Sequence, residues 1–300
     1  MAKIQFSLPH TLDLPAALDF SLTSSQIEEG EEFVFDFSKT KRVEPFPMLL
    51  VSSEINRLVN RFPHAKKSCE NFQNMTYAGH MGFFKAFGFD FGKRPGEAKG
   101  GPRYLPMTIY DCAELKKSAA EKGIEVGDEV EEKSKHMTMM LCGTDTGAVF
   151  DTLSYSVREL VRNVIEHSKA TQFGICAQYW PHQNKVEVTI VDRGIGLKES
   201  LTNNPYLNAS DDKNAINYAL MPAVSGKAFK GSPIRQRGHW ANSGFGLYMT
   251  TRICRNGGEF LHSNWQDRDA SYKEGRSKTL FPMPLSRHRN SNGNSHKSDI

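Results

Sequence analysis

The chain has few cysteines and no pattern among them. The five (Cys69, Cys112, Cys142, Cys176 and Cys254) are far apart and odd in number, and no CxxC pair occurs. This favours buried free thiols over a zinc site or a disulfide framework. No apolar run approaches the roughly 20 residues of a membrane span. The opening Met-Ala-Lys-Ile-Gln-Phe lacks the apolar core of a signal peptide, so a cytoplasmic chain is expected. The net charge is only +4, with Lys and Arg scattered among Asp and Glu, and no basic stripe points to nucleic acid. A G-x-x-x-x-G-K-[ST] loop is missing, which excludes a P-loop, and no HExxH occurs. His64, His80, His136 and His262 have no partners at metal spacing and read as surface or structural residues. There is no internal repeat.

With 300 residues, there is length for two domains and a sizeable core. Strand and helix patterns alternate through the first part. Strands are expected over 3–8, 32–37 and 104–110, and helices over 13–27, 47–61, 75–87 and 113–122, with a Gly- and Pro-rich loop over 89–102. That alternation predicts an α/β domain over 1–122. The charged, mostly acidic segment 123–135 suits a linker or the solvated start of a helix, and the boundary is placed there. A second domain is expected over 136–285. Its strongest helix covers 151–169, followed by paired strands over 171–180 and 185–192. Residues 197–242 are long and polar, with a short helical piece near 214–221. A helix over 246–256 and strands over 259–264 and 278–283 follow. Residues 286–300 have almost nothing apolar and should be a disordered tail.

Three short segments carry chemistry. The first is Glu159-Leu-Val-Arg-Asn163. On a helix, Val157, Leu160, Val161 and Val164 form an apolar stripe that should pack on a sheet. Glu159 and Asn163 lie one turn apart on another face, towards water or a ligand. An Asn carbonyl oxygen suits magnesium, and the carboxylate one turn earlier can polarise a water near a terminal phosphate. A surface helix with a wet side explains the same residues. The second segment is Asp192-Arg-Gly194-Ile-Gly196, at the end of a strand in which Val186, Val188 and Ile190 alternate with Lys185, Glu187 and Thr189, as in a half-buried strand. An acid here can accept from an adenine amino group and repel a guanine carbonyl, while the glycines leave room for a ligand. A plain strand-to-loop turn with an Asx cap explains it equally simply.

The third segment, Gly244-Phe245-Gly246-Leu247, opens a helix. Free N–H groups and the positive end of the helix dipole make such a start a phosphate site. Lys227, Lys230, Arg235, Arg237 and His239 precede it and could reach phosphates under a closing lid, or form a solvated loop.

In this order and spacing the three segments, from about residue 152 to 284, resemble the GHKL superfamily of gyrase, heat-shock chaperones, histidine kinases and MutL. The resemblance implies a Bergerat-type α+β sandwich, with helices on one face of a mixed sheet and a mobile lid over ATP and Mg2+. It implies Glu159 as general base and Asn163 as magnesium ligand. It assigns Asp192 to adenine and Gly244 and Gly246 to the phosphates, and places Gly194, Gly196, Phe245 and Leu247 with them among the nucleotide-binding residues. Ser277-Lys-Thr279 resembles the last motif, whose Thr supports the adenine-binding acid, although Lys278 stands where that motif has Gly. Glu-Leu-Val-Arg-Asn-Val-Ile-Glu-His-Ser is closest to the histidine-kinase and anti-sigma-factor branch, in which a His follows the Asn as His167 does. The segment from Glu32 to Ser38, followed by Pro45-Phe-Pro and a helix, resembles a STAS-like strand–turn–helix. The resemblance therefore implies an ATP-binding signalling switch with slow ATPase or serine/histidine protein kinase activity, or an ATP-gated interaction module that does not hydrolyse. Its expected partner is a regulatory protein, STAS-like or phospho-accepting, or a second copy in a homodimer; no membrane is implied.

Overall fold

The structure, a computed structural model, describes residues 3–183, 185–231, 244–255 and 280–282. Its elements in chain order are β1 (Lys3–Ser7), β2 (Thr11–Leu12), α1 (Leu14–Ser25), β3 (Glu32–Asp36), β4 (Arg42–Val43), α2 (Pro45–Arg61), β5 (Lys66–Glu70), α3 (Thr76–Met81), α4 (Phe83–Ala86), β6 (Tyr104–Asp111), α5 (Cys112–Lys122), α6 (Val126–Cys142), α7 (Ala148–Asn163), β7 (Gln172–Trp180), β8 (Lys185–Asp192), α8 (Gly196–Leu201), α9 (Asp212–Ala219), α10 (Gly246–Arg255) and β9 (Leu280–Pro282). The fold is mixed α/β. Parallel strands in the order β1-β3-β5 form one sheet, and the antiparallel strands β6-β7-β8-β9 form another. Among the described residues no helix is long and apolar enough to cross a membrane.

Phenylalanines fill the first core. Phe6, Phe20, Phe33, Phe35, Phe37, Phe83, Phe84 and Phe87 are all buried around the parallel sheet. Parallel strands need crossovers, which α1 and α2 supply. Asp13 caps α1 by accepting from the Ala16 N–H at 3.1 Å, satisfying one of the open donors at a helix start. The single helix expected over 75–87 is two short ones. Gly82 has a φ of 99°, ends α3 and starts α4, because that left-handed conformation cannot continue an α-helix.

The division between the two parts differs from expectation. The strand and helix over 104–122, assigned by sequence to the first domain, belong with the second sheet. β6 pairs antiparallel with β7, Ile109 opposite Gly174 and Tyr110 opposite Phe173. Of the two readings of 123–135, a linker or the start of a helix, the second holds: most of it is the start of α6. Of the acidic residues that suggested a boundary, Glu129, Glu131 and Glu132 are tied to basic side chains, and Glu125 and Asp128 cap the start of α6. Glu129 is fully buried, with its carboxylate bound to Lys122 at 2.7 Å, Lys133 at 3.3 Å and Ser118 at 3.0 Å. Charge pairing thus lets an acidic stretch pack, which composition alone does not reveal.

Alternation sorts the second sheet into two faces. Phe173, Ile175, Ala177, Val186 and Val188 pack with Val130, Met137, Leu153, Val157 and Val161 of α6 and α7 and with Val164 just after α7, so three of the four residues of the apolar stripe meet the sheet. The opposite face was expected to be wet, yet Glu187 is 0 % and Thr189 5 % exposed. α2 covers it. Leu49 packs with Met107 and Cys176, Cys176 Sγ donates to the Pro45 carbonyl at 3.1 Å, and the Phe46 N–H donates to Glu187 Oε1 at 3.2 Å. Gly174 makes the close approach workable, since a Cβ there would lie 2.7 Å from Leu49 Cδ2.

Candidate functional site

The sheet, α7 and the segments after β8 enclose a cavity of about 380 Å³. This falls in the range of small-molecule pockets, about 300–1,000 Å³. Glu159, Asn163, Asp192, Gly194, Gly196, Gly244, Gly246 and Leu247 all line it. Residues nearly ninety positions apart in sequence thus share one space. Leu160 also lines it, so this member of the apolar stripe faces the cavity rather than the sheet. Phe245 does not join them. It is 40 % exposed, with its ring 6.4 Å from that of Tyr248, because the two flanking glycines face inward and the residue between them turns out. Thr279, Ser277, Lys278, Arg235, Arg237 and His239 lie outside the described residues, as do the strand expected over 259–264 and the tail 286–300.

Glu159 is only 8 % exposed. Its Oε1 accepts from Arg158 Nε at 3.1 Å and Nη2 at 2.9 Å, and Arg162 Nη1 stands at 3.8 Å. Arg158 reaches on to Glu131 of α6 at 3.5 Å, and Lys135 also pairs with Glu131. The other oxygen, Oε2, packs against Gly246 so closely that any Cβ there would overlap it. Gly246 therefore lets a carboxylate of α7 meet the first turn of α10. Gly244 has a φ of 69°, and a Cβ there would stand 2.7 Å from the Val224 carbonyl oxygen.

The helix expected over 151–169 is α-helical only to Asn163. Residues Val164–Ser168 form a π-turn, ended by Lys169 at a φ of 55°. Widening the helix changes which carbonyls remain open. The Ser168 carbonyl accepts from the Ile195 N–H at 2.6 Å, and Lys227 Nζ donates to the Glu166 carbonyl. A Cβ on Gly194 would overlap the Ser168 carbonyl oxygen. Gly194 is thus required by the π-turn it packs on, whereas Gly196, at a φ of 72°, is required by its own backbone.

Asp192 Oδ1 accepts from the Gly194 N–H at 2.8 Å. The Asx turn is therefore present, and it orients the acid within the cavity wall. His167 also lines the cavity. Burial pushes its imidazole down to about 4, Lys227 and Arg162 push the same way, and Glu166 opposes them. Glu166 is itself held by Arg162 at 2.6 Å.

The residues 196–226 are less loop-like than expected. α8 and α9 bury Leu201, Ala215 and Ala219 in a small core with Leu197, Val224 and Leu247. Sequence reading also missed a whole wall: Phe46, Leu50 and Arg57 of α2 line the cavity. The available signal was the composition of α2, apolar on more than one face over Pro45–Leu58, as in a helix buried between two layers.

No family model matches the chain, and neither a curated protein nor a solved structure matches it.

Proposed function

We propose that this chain is a Mg-ATP-binding switch of GHKL type, with slow ATPase or protein kinase activity, built on a Bergerat-type sandwich. The observation that carries the reading is the convergence of Glu159, Asn163, Asp192, Gly244 and Gly246 on one cavity of suitable size. The donor set fits the nucleotide. Asp192 offers a carboxylate oriented by Gly194. Gly244 and Gly246 put no side chain of their own at the start of α10, where backbone N–H groups favour an anion; the Glu159 carboxylate stands against Gly246 there and would make room for a phosphate. Asn163, one turn from Glu159, supplies an oxygen for magnesium. When bound, Mg-ATP would supply the activated terminal phosphate; Glu159 would take the proton from the attacking hydroxyl or water. A signalling switch fits a site whose walls come from several separate segments, because closure on a ligand would move them together. A regulatory protein or a second copy of the chain would read that movement.

The state of Glu159 favours the second reading, an ATP-gated module that does not hydrolyse. One oxygen is held by Arg158 and Arg162 and the other faces Gly246. To act as a base, the carboxylate must leave Arg158. The two readings part at Glu159→Gln. As an enzyme, the wild type should release or transfer labelled phosphate and the variant should lose about 10²-fold or more while still binding ATP. Equal background rates in both proteins, with binding intact, would establish the module and end the enzyme reading.

A further inference from the structure

α2 is part of the first α/β layer by sequence, yet one stripe of it works at the cavity. Residues 46, 50, 53, 54 and 57 recur at helical spacing and share one face. Phe46, Leu50 and Arg57 line the cavity. Ser53 and Glu54 hold the residue in the middle of the Asp192–Gly194 turn: Arg193 Nε donates to Ser53 Oγ at 2.9 Å, and Arg193 Nη2 meets Glu54 Oε1 at 2.7 Å. Glu54 is 1 % exposed, and its second oxygen takes Arg57 at 2.8 Å. A buried carboxylate with one arginine on each oxygen is a poor surface ornament. Removing its charge takes away the one anion that joins two half-exposed guanidinium groups, Arg57 and Arg193, to α2.

Geometry says what the clasp controls. Arg193 lies directly between Asp192 and Gly194. With the Arg193 guanidinium fixed to α2 and Asp192 Oδ1 fixed to the Gly194 N–H, the turn is held from both sides. The same helix is locked to the sheet behind that turn, through Phe46 on Glu187 and Leu49 in the space left by Gly174. A shift of α2 therefore pulls, through Arg193, on the turn that carries the acid the nucleotide reading assigns to the base.

We propose that α2 is a working wall of the nucleotide site, in which Glu54 is a positioning residue. By holding Arg193, it sets the Asp192 turn for adenine and couples nucleotide occupancy to docking of the first α/β layer on the second sheet. This rests on the Mg-ATP reading above. Coupling of this kind is reciprocal: whatever α2 does for the base, the base does for α2.

The test uses the full chain. Dissociation constants for Mg-ATP and Mg-GTP are measured by calorimetry in wild type and Glu54→Gln, and amide hydrogen exchange over 45–61 is followed with and without Mg-ATP. In wild type, ATP should bind in preference to GTP and slow exchange in α2. Glu54→Gln should weaken ATP about tenfold, narrow the ATP-to-GTP preference and abolish the ATP-dependent protection. Glu54→Asp should restore part of the preference, which a purely structural role would not do. A Glu54→Gln protein that keeps the wild-type affinity, preference and protection overturns the proposal alone. So does ATP binding to wild type without any change in α2 exchange, and that measurement stands even if the variant fails to fold. Wild type that binds no nucleotide overturns both this proposal and the reading beneath it.

Discussion

Replacing Asp192 with Asn changes one charge and almost no volume, and its effect can be worked out from one hydrogen bond. Asp192 Oδ1 accepts from the Gly194 N–H at 2.8 Å, and an Asn carbonyl oxygen can accept the same bond. The Asx turn should survive, so stability should change by less than about 1 kcal/mol, the net worth of a typical hydrogen bond. The group left for the ligand changes from an acceptor to an NH2 donor. Facing an adenine amino group, it sets donor against donor and leaves both unpaired. An unsatisfied group of this kind costs about 1–3 kcal/mol, which is roughly 5- to 150-fold in affinity. Guanine presents a carbonyl oxygen instead, and the Asn amide can donate to it. Asp192→Asn should therefore weaken Mg-ATP by roughly that factor while GTP holds or gains, at an unchanged midpoint of thermal unfolding. Calorimetric titration of both nucleotides into both proteins measures this. Parallel losses for ATP and GTP, or an unchanged ATP affinity, would remove Asp192 from base recognition.

Two further outcomes follow from the same geometry. Because the His167 imidazole falls from 6.5 to about 4 on folding, the unfolded chain takes up a proton there before the folded one does. That contribution to stability is intact above pH 6.5 and is lost as pH falls towards 4, by at most about 3 kcal/mol. His167→Asn should flatten that part of a stability–pH curve measured by urea unfolding, and an unchanged slope would refute the burial argument. Gly194→Ala drives a methyl into the Ser168 carbonyl, a backbone atom that cannot rotate away. It should lower unfolding stability by about 1–3 kcal/mol. Stability equal to wild type would show that the π-turn gives way.

Much of the site could be read from the chain alone, for a local reason. Glu159 and Asn163 are one helical turn apart whatever surrounds them, and Asp192 ends a strand whose alternation is its own property. Val186 and Val188 face the helices because a period of two leaves no other choice once one face is buried. The glycines were recognisable too, but not their reasons. Gly194 answers to Ser168 and Gly246 to Glu159, each a contact between distant segments.

Local chemistry thus set the elements, the polar pair on α7 and the two glycine turns. Tertiary structure decided what covers the second sheet, where β6 and α6 belong, and that α2 closes one side of the cavity. Periodicity reports that a face is apolar but not which partner buries it. Nothing in the sequence marked Glu187, Glu129 and Glu54 as buried, because a carboxylate is buried only where partners meet it: Lys122 and Lys133 for Glu129, Arg193 and Arg57 for Glu54, and the Phe46 N–H of another helix for Glu187.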